Sequence, residues 1–171
     1  AKHWEAAVKS ELDSLTTKGC LHFKTKLPAD IKPLDTRWVF KLKMNADGGL
    51  DKYKARLVAK GFLQIEGIDY TDTFAPGTQL TSFRIMLILA ANYNLKITHL
   101  DVKTAFLNSD LKETIYVRLP EGAQSPDGQS VARLHKSIYG LKQAGHDWYQ
   151  CSEKFILEHD KRTKRSLAEP C

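Results

Sequence analysis

The sequence predicts an α+β fold in which helices pack with an antiparallel sheet. Residues 3–18 have the periodicity of an amphipathic helix that ends at Gly19. Between residues 36 and 61 the pattern changes to alternation, which is typical of half-buried strands. A chain of 171 residues that is 42% hydrophobic is long enough to bury a core, and its length favours a single domain.

Composition limits the classes of partner. The 26 Lys and Arg residues exceed the 20 Asp and Glu residues, and the formal net charge of +6 favours polyanionic partners. No apolar run approaches the roughly 20 residues that span a bilayer, so no membrane partner is expected. The three cysteines form no CxxC pair, which argues against a disulfide framework and a structural zinc site. The chain starts without Met and stops without a turn signal, so we expect a piece of a longer protein.

The alternating region predicts a β-hairpin with two basic rows. Its strands cover residues 38–43 and 53–60, and the Asp-Gly-Gly sequence at 47–49 supplies the positive φ that tight turns need. Alternation places the basic side chains of each strand on one face. They are Lys41 and Lys43 on the first strand, and Lys54, Arg56 and Lys60 on the second. The rows predict a cationic flap that binds phosphates, and the alternative is an ordinary solvated face.

The second half of the chain mixes helix and strand signals. After a loop-rich stretch at 62–80, Thr81 or Ser82 is expected to cap a helix over 82–91, which is apolar nearly all round and therefore buried. The other predicted elements are strands at 97–102 and 114–119 that pair antiparallel, a surface loop at 123–130, a strand at 131–134 and a helix after 139–144.

Asp101 lies where the predicted strand 97–102 ends, in the stretch ITHLDVKTAFLN. A buried carboxylate is costly unless a partner compensates for it, and a carboxylate at a strand end suits a divalent cation with oxygen ligands. The alternative is an Asp that begins a turn or caps the next helix. Motifs of other classes are absent from the sequence, since GxGxxG, GxxxxGKS/T, HExxH and a nucleophile elbow do not occur.

Several long motifs occur in an order that resembles one protein family. They are RWVFKLK at 37–43, YKARLVAKGFLQIEGIDYTDTFAP at 53–76, HLDVKTAFLNSDLKETIYVRLPEG at 99–122, LHKSIYGLKQA at 134–144 and WYQCSEKFILEH at 148–159. Through them the chain resembles the amino-terminal part of the reverse transcriptase of copia-type long-terminal-repeat retrotransposons. The resemblance leaves little of the chain uncovered, and the length of the motifs makes it more specific than any single short pattern.

The resemblance implies a right-hand polymerase with RNA-directed DNA polymerase activity. Fingers would cover about 1–93 and 121–144, the palm would cover 94–120, and 145–171 would hold a palm helix and the start of the next strand. The Tyr-Val-Asp-Asp turn that supplies the family's other catalytic carboxylates does not occur. The fold is therefore expected to be truncated before the second catalytic motif, and residues 1–171 alone are expected to be inactive.

The resemblance also assigns roles to residues of a nucleotide site. Asp101 would be a catalytic carboxylate and a metal ligand, joined by the backbone carbonyl of Val102. The complete enzyme would hold two Mg²⁺ ions, with Mn²⁺ as an alternative. Thr104 and Ala105 would meet the triphosphate through backbone N–H groups, and Phe106 would be the steric gate that excludes a 2′-hydroxyl. The remaining assignments are Gln143 over the incoming nucleotide, Lys43, Lys54 and Arg56 at the phosphates, and Lys41 and Lys60 at the nucleic acid.

The same resemblance implies the partners and the location. The partners would be an RNA or DNA template with its primer, deoxynucleoside triphosphates, and the thumb, RNase H and integrase regions of a retroelement polyprotein. The location would be a cytoplasmic virus-like particle, with a nuclear genomic origin. The sequence departs from the family's usual Val at Gly77 and from its usual Pro-Arg at Gly145-His146.

Two alternatives to a polymerase stay open. A nucleic-acid-binding module without chemistry would use the basic hairpin and the basic tail at 161–165, and it would bind in a salt-dependent way. An inert relic of a retroelement would fit the departure at Gly145-His146.

Overall fold

The computed structural model describes residues 2–23, 27–121, 123, 128–159 and 161. Within these residues the helices are α1 (Lys2–Thr17), α2 (Leu80–Asn92) and α3 (Ala144–His159), with short 3-10 helices at Gly61–Leu63 and Ala105–Asn108. The strands are β1 (Leu21–His22), β2 (Leu34–Met44), β3 (Leu50–Ala59), β4 (Tyr116–Arg118) and β5 (Val131–Leu134). The mixed class of helices and sheet that the sequence predicts is therefore confirmed.

The described strands form one sheet in the order β1-β5-β4-β2-β3. The pairs β1–β5, β4–β5 and β2–β3 are antiparallel, but β2 and β4 pair parallel. The prediction of an antiparallel sheet is wrong at this one pair. Parallel neighbours need a long connection, and here the chain passes through α2 and the second 3-10 helix before it enters β4.

Helix α1 packs on the apolar face of the hairpin, as its predicted stripe requires. Leu15 is fully buried and joins a core cluster that includes Leu57 of β3. The Trp4 ring contacts the rings of Phe40 and Tyr53, with centroid distances of 5.0 Å and 4.7 Å. The predicted helix at 3–18 is confirmed, and its role is packing.

Helix α2 forms where the sequence predicts it, but its expected burial is wrong. Of its residues only Ala90 is buried, and Ile88 is 59% exposed. Its N-cap is Gln79, which makes no side-chain cap hydrogen bond, so the expected cap at Thr81 or Ser82 is also wrong. No described helix or strand packs extensively against α2, so its apolar surface stays exposed.

The predicted strand at 97–102 is wrong. These residues are irregular and exposed, and Leu100 is 81% exposed. The expected antiparallel pairing with 114–119 does not form, because β4 lies between β5 and β2 and both of its edges are occupied. A strand without a neighbour leaves its backbone groups to water and gains no ladder hydrogen bonds.

The remaining predictions concern the loops, the tail and membrane spans. The turn between β2 and β3 is confirmed, and Gly48 in that turn has a φ of +82°. Half of the predicted loop at 123–130 and nearly all of the basic tail at 161–165 lie outside the described residues. Within the described part of the chain, no helix is long and apolar enough to cross a membrane.

Candidate functional site

The hairpin carries its basic residues on one face, as the alternation predicts. Lys41 of β2 lies directly opposite Lys54 of β3, and Lys43 lies opposite Lys52. Paired residues of an antiparallel ladder point to the same side, so the two rows share a face. We call Lys41, Lys43, Lys52, Lys54 and Arg56 the basic face. Lys52 was not among the predicted basic residues. It lies two residues before Lys54, so the same alternation predicts it on this face.

The basic face concentrates positive charge, which the Glu11 carboxylate offsets only in part at Lys54 and Arg56. Like charges directly opposite each other destabilise a sheet. Partial burial, together with the positive charges of Arg56 and Lys43, lowers the pKa of Lys54. Lys60 differs, because its Nζ lies 3.5 Å from a carboxylate oxygen of Asp35. Within the described residues, no carboxylate forms an ion pair with a lysine of the basic face. This arrangement favours a polyanionic ligand.

Arg56 links the basic face to two aromatic rings. Its guanidinium carbon lies 5.0 Å from the centroid of the Tyr139 ring. The Phe106 ring meets Tyr139 on an edge, with centroids 4.9 Å apart and planes at 65°. The structure therefore brings the predicted phosphate-binding arginine and the predicted gate together through Tyr139. Sequence reasoning missed Tyr139, although it belongs to the quoted motif LHKSIYGLKQA.

The segment that carries Phe106 is anchored by the two residues that follow it. Leu107 is 1% exposed in the core, and the Lys18 ammonium donates to Asn108 Oδ1 at 3.0 Å. Thr104, the N-cap of this 3-10 helix, has φ 52° and ψ 48° in the left-handed region. That conformation is strained for a β-branched residue, and such strain concentrates at functional sites. Thr104 and Ala105, predicted to meet the triphosphate through their N–H groups, lie at the start of this helix.

Asp101 and Val102 lie in the exposed irregular segment before that helix. The expected position of Asp101 at a strand end is wrong, because 97–102 does not form a strand. Among the described residues, no group of three or more His, Cys, Asp and Glu side chains could hold a metal ion. Asp101 therefore belongs to no such group within the described part of the chain.

Gln143 lies inside the protein, with 1% of its surface exposed. Its Nε2 donates to the Asp69 carbonyl oxygen at 2.8 Å and to Glu113 Oε2 at 3.3 Å. Its Oε1 accepts from Gln64 Nε2 at 3.0 Å. The side-chain amide is fully engaged, so contact with a nucleotide would require these hydrogen bonds to break.

Helix α3 begins with a buried carboxylate that the sequence did not single out. Asp147 is 7% exposed and accepts a hydrogen bond from the hydroxyl of Ser137, which is fully buried. Burial raises the pKa of Asp147 and the negative charge of Glu113 adds to this, although the Ser137 hydrogen bond opposes it. No sequence motif marks this pair, since the two residues meet only in the folded chain.

His146, which the resemblance singled out as a departure, fastens a loop to α3. Its Nδ1 lies 2.6 Å from the Phe74 carbonyl oxygen, and its Nε2 lies 2.7 Å from Gln150 Nε2. A neutral ring with the proton on Nδ1 satisfies both contacts, because Nδ1 then donates and Nε2 accepts. His146 therefore has a structural role in this chain, because it connects Phe74 to α3.

A family model described as "Reverse transcriptase (RNA-dependent DNA polymerase)" matches residues 22–169. The chain belongs to the reverse transcriptase family. This match covers the hairpin, the segment with Phe106 and the turn with Tyr139, and it confirms the resemblance that the motifs indicated.

Curated relatives that this reverse transcriptase chain matches include transposon polyproteins, and the chain spans only a small part of their length. The chain is 43% identical over 166 residues to the retrovirus-related Pol polyprotein from transposon TNT 1-94 of Nicotiana tabacum, which covers 96% of the chain and 12% of that relative. It is 41% identical over 155 residues to the retrovirus-related Pol polyprotein from transposon RE2 of Arabidopsis thaliana. That match covers 90% of the chain and 11% of the relative. It is 38% identical over 111 residues to the transposon Ty1-ER2 Gag-Pol polyprotein of Saccharomyces cerevisiae. That match covers 62% of the chain and 6% of the relative. No solved structure matches significantly.

Proposed function

We propose that this chain is the fingers and first palm portion of an RNA-directed DNA polymerase that acts within a retrotransposon polyprotein. The observation that carries the proposal is the contact series from Arg56 through Tyr139 to Phe106. It joins a cationic hairpin to the segment that the family resemblance assigns to the nucleotide sugar. A polymerase needs both features at one place, since the triphosphate and the sugar belong to one molecule.

The basic face would hold phosphates while the aromatic pair selects the sugar. Lysine and arginine side chains neutralise triphosphate oxygens through charge-assisted hydrogen bonds. Arg56 is preoriented by its contact with Tyr139, which limits the entropy lost on binding. Phe106, held by Tyr139 on one side and by the buried Leu107 next to it, would present a fixed ring to the sugar. A 2′-hydroxyl would then meet carbon instead of a hydrogen-bond partner.

The donor set for divalent metal ions is incomplete within the described residues. The family's metals would neutralise the triphosphate and activate the primer hydroxyl when bound, and Asp101 with the Val102 carbonyl would be ligands. Mg²⁺ requires a near-octahedral set of oxygens, and one carboxylate with one carbonyl does not supply it. These residues alone do not fit two ions, so we expect residues 1–171 by themselves to be inactive. The other ligands would come from further regions of the polyprotein, and synthesis would take place in a cytoplasmic virus-like particle.

A primer-extension assay tests the proposal. A primed RNA template, deoxynucleoside triphosphates and Mg²⁺ are supplied to the full polyprotein that contains this segment and, separately, to residues 1–171. We expect extension by the full chain, its loss in Asp101→Asn, and none by residues 1–171. Absence of synthesis by the full chain would refute a polymerase, and synthesis by residues 1–171 would refute the incomplete metal site.

A nucleic-acid-binding module without chemistry is the second candidate, and the opposed lysines of the basic face favour it. It predicts salt-dependent RNA binding that does not depend on Asp101 or on Mg²⁺. Titration of the full chain with a primed template, run beside its primer-extension assay, separates the two candidates. RNA binding by residues 1–171, combined with a full chain that binds but does not synthesise, would favour the module.

A further inference from the structure

Gln64 ties together two backbone segments that meet beside Tyr139. Its side chain is 6% exposed, and its Oε1 accepts a hydrogen bond from the Lys142 N–H at 2.8 Å. Its Nε2 donates to Gln143 Oε1 at 3.0 Å. One primary amide therefore holds the backbone of Lys142 and the side chain of Gln143. Removing it leaves the half-buried Lys142 N–H and the buried Gln143 Oε1 without these partners, and the loss at the buried oxygen is costly.

Two glycines bring the same segments into close contact. A Cβ on Gly61 would clash with the Gly140 carbonyl oxygen, and a Cβ on Gly140 would clash with the Ala59 carbonyl oxygen. The Ala59 N–H donates to the Tyr139 carbonyl at 2.8 Å. The end of β3 and the turn at 139–143 thus form one tightly packed unit, and Gln64 provides its side-chain hydrogen bonds.

This unit carries Tyr139, whose ring contacts both Arg56 and Phe106. We propose that Gln64 is a positioning residue: by fixing the 139–143 turn it fixes Tyr139 and, through Tyr139, the Phe106 ring that selects between deoxyribonucleotides and ribonucleotides. Gln64 itself is too buried to contact a nucleotide, so its effect passes through these neighbours. The inference rests on the proposed polymerase function.

The first experiment follows backbone opening in residues 1–171 and needs no activity. Gln64→Met keeps the side-chain length and removes both hydrogen-bonding groups. We expect faster amide hydrogen exchange at Ala59 and Lys142, because their bonds belong to the unit that Gln64 holds. Exchange in β4 and β5 should stay unchanged. Unchanged exchange at Ala59 and Lys142 would overturn the inference.

The second experiment measures sugar selection by the full polyprotein that contains this segment. In Gln64→Met we expect the preference for deoxyribonucleotides to fall roughly tenfold, since small misplacements near a reacting centre have effects of this size or larger. Val117→Ala is the control, because Val117 is fully buried in β4 and its truncation lowers stability without removing a hydrogen bond of the 139–143 turn.

The possible outcomes separate the inference from the proposed function. Loss of preference in Gln64→Met alone supports the inference. Equal loss in both variants overturns it, because general loosening would then be the cause, and an unchanged preference in Gln64→Met overturns it as well. A wild-type polyprotein without synthesis would overturn the proposed function and the inference together.

Discussion

The ring of Phe106 meets the ring of Tyr139 edge-on, with 4.9 Å between their centroids. Phe106 comes from the 3-10 helix at Ala105–Asn108, and Tyr139 comes from the turn before α3. Edge-to-face pairs contribute about 0.5–1.5 kcal/mol beyond the burial of their area, so the contact helps to fix the Phe106 ring. A fixed ring can reject a substituent that a mobile one would accommodate.

Replacing Phe106 by a smaller residue should admit ribonucleotides. In the full polyprotein that contains this segment, Phe106→Val is expected to lower the preference for deoxyribonucleotides by roughly 10²-fold, because the steric barrier is removed. Competing incorporation of the two nucleotide types gives the ratio. Phe155→Val is the matched control, since Phe155 is 60% exposed on α3. An unchanged ratio in Phe106→Val would remove the gate assignment.

The basic face should bind single-stranded RNA in a salt-dependent way. The double variant Lys41→Ala/Lys54→Ala removes one opposed pair, and it should reduce the slope of log affinity against log salt by about 1.4, or about 0.7 for each phosphate contact. Fluorescence anisotropy over a salt series measures this slope. The control is Lys2→Ala/Lys9→Ala, which removes the same charge from exposed positions of α1. Equal slopes for both variants would mean that only net charge matters.

Stability should decrease as the pH rises out of the acidic range, because of Glu11 and Asp147. Burial is the largest cause that raises the pKa of each carboxyl above its ordinary value of 4.5 and 3.8, respectively. A raised pKa in the folded state means that folding favours the protonated form. The stabilising contribution is therefore complete below the ordinary values and is lost as the pH rises through the raised ones.

Neutral variants at these two positions should flatten that pH dependence. Glu11→Gln keeps an acceptor for the Leu57 N–H, which donates to Glu11 Oε1 at 3.3 Å, and Asp147→Asn keeps an acceptor for Ser137. Thermal melts between pH 3 and 7 measure the change. Glu5→Gln, at an exposed position of α1, controls for the loss of a charge. A pH slope that both variants leave intact would contradict the assignment.

The exposed apolar surface of α2 should limit solubility without supporting the fold of residues 1–171. Ile88→Glu is expected to raise solubility and to change the free energy of unfolding by less than about 0.5 kcal/mol, because Ile88 is 59% exposed. Leu107→Ala, at a position that is 1% exposed, should instead cost about 2–5 kcal/mol. Urea unfolding and sedimentation measure the two effects. A large loss of stability in Ile88→Glu would show that α2 is packed.

Local patterns predicted the elements that local forces can define. Alternation and the Asp-Gly-Gly turn predicted the β2–β3 hairpin and its basic face, and the apolar stripe predicted α1. The strand predicted at 97–102 does not form, because a strand needs a neighbouring strand with a free edge to pair with. Its intended partner β4 is already paired on both sides.

The sequence by itself determined which residues alternate, which follow a helical stripe and which motifs place the chain in the reverse transcriptase family. Only the tertiary structure decided that Arg56, Tyr139 and Phe106 meet, that Gln64 and Gln143 share a buried hydrogen bond, and that β2 and β4 run parallel. Periodicity records how each residue relates to its near neighbours. Contacts between distant segments arise when the whole chain satisfies packing and hydrogen bonding together.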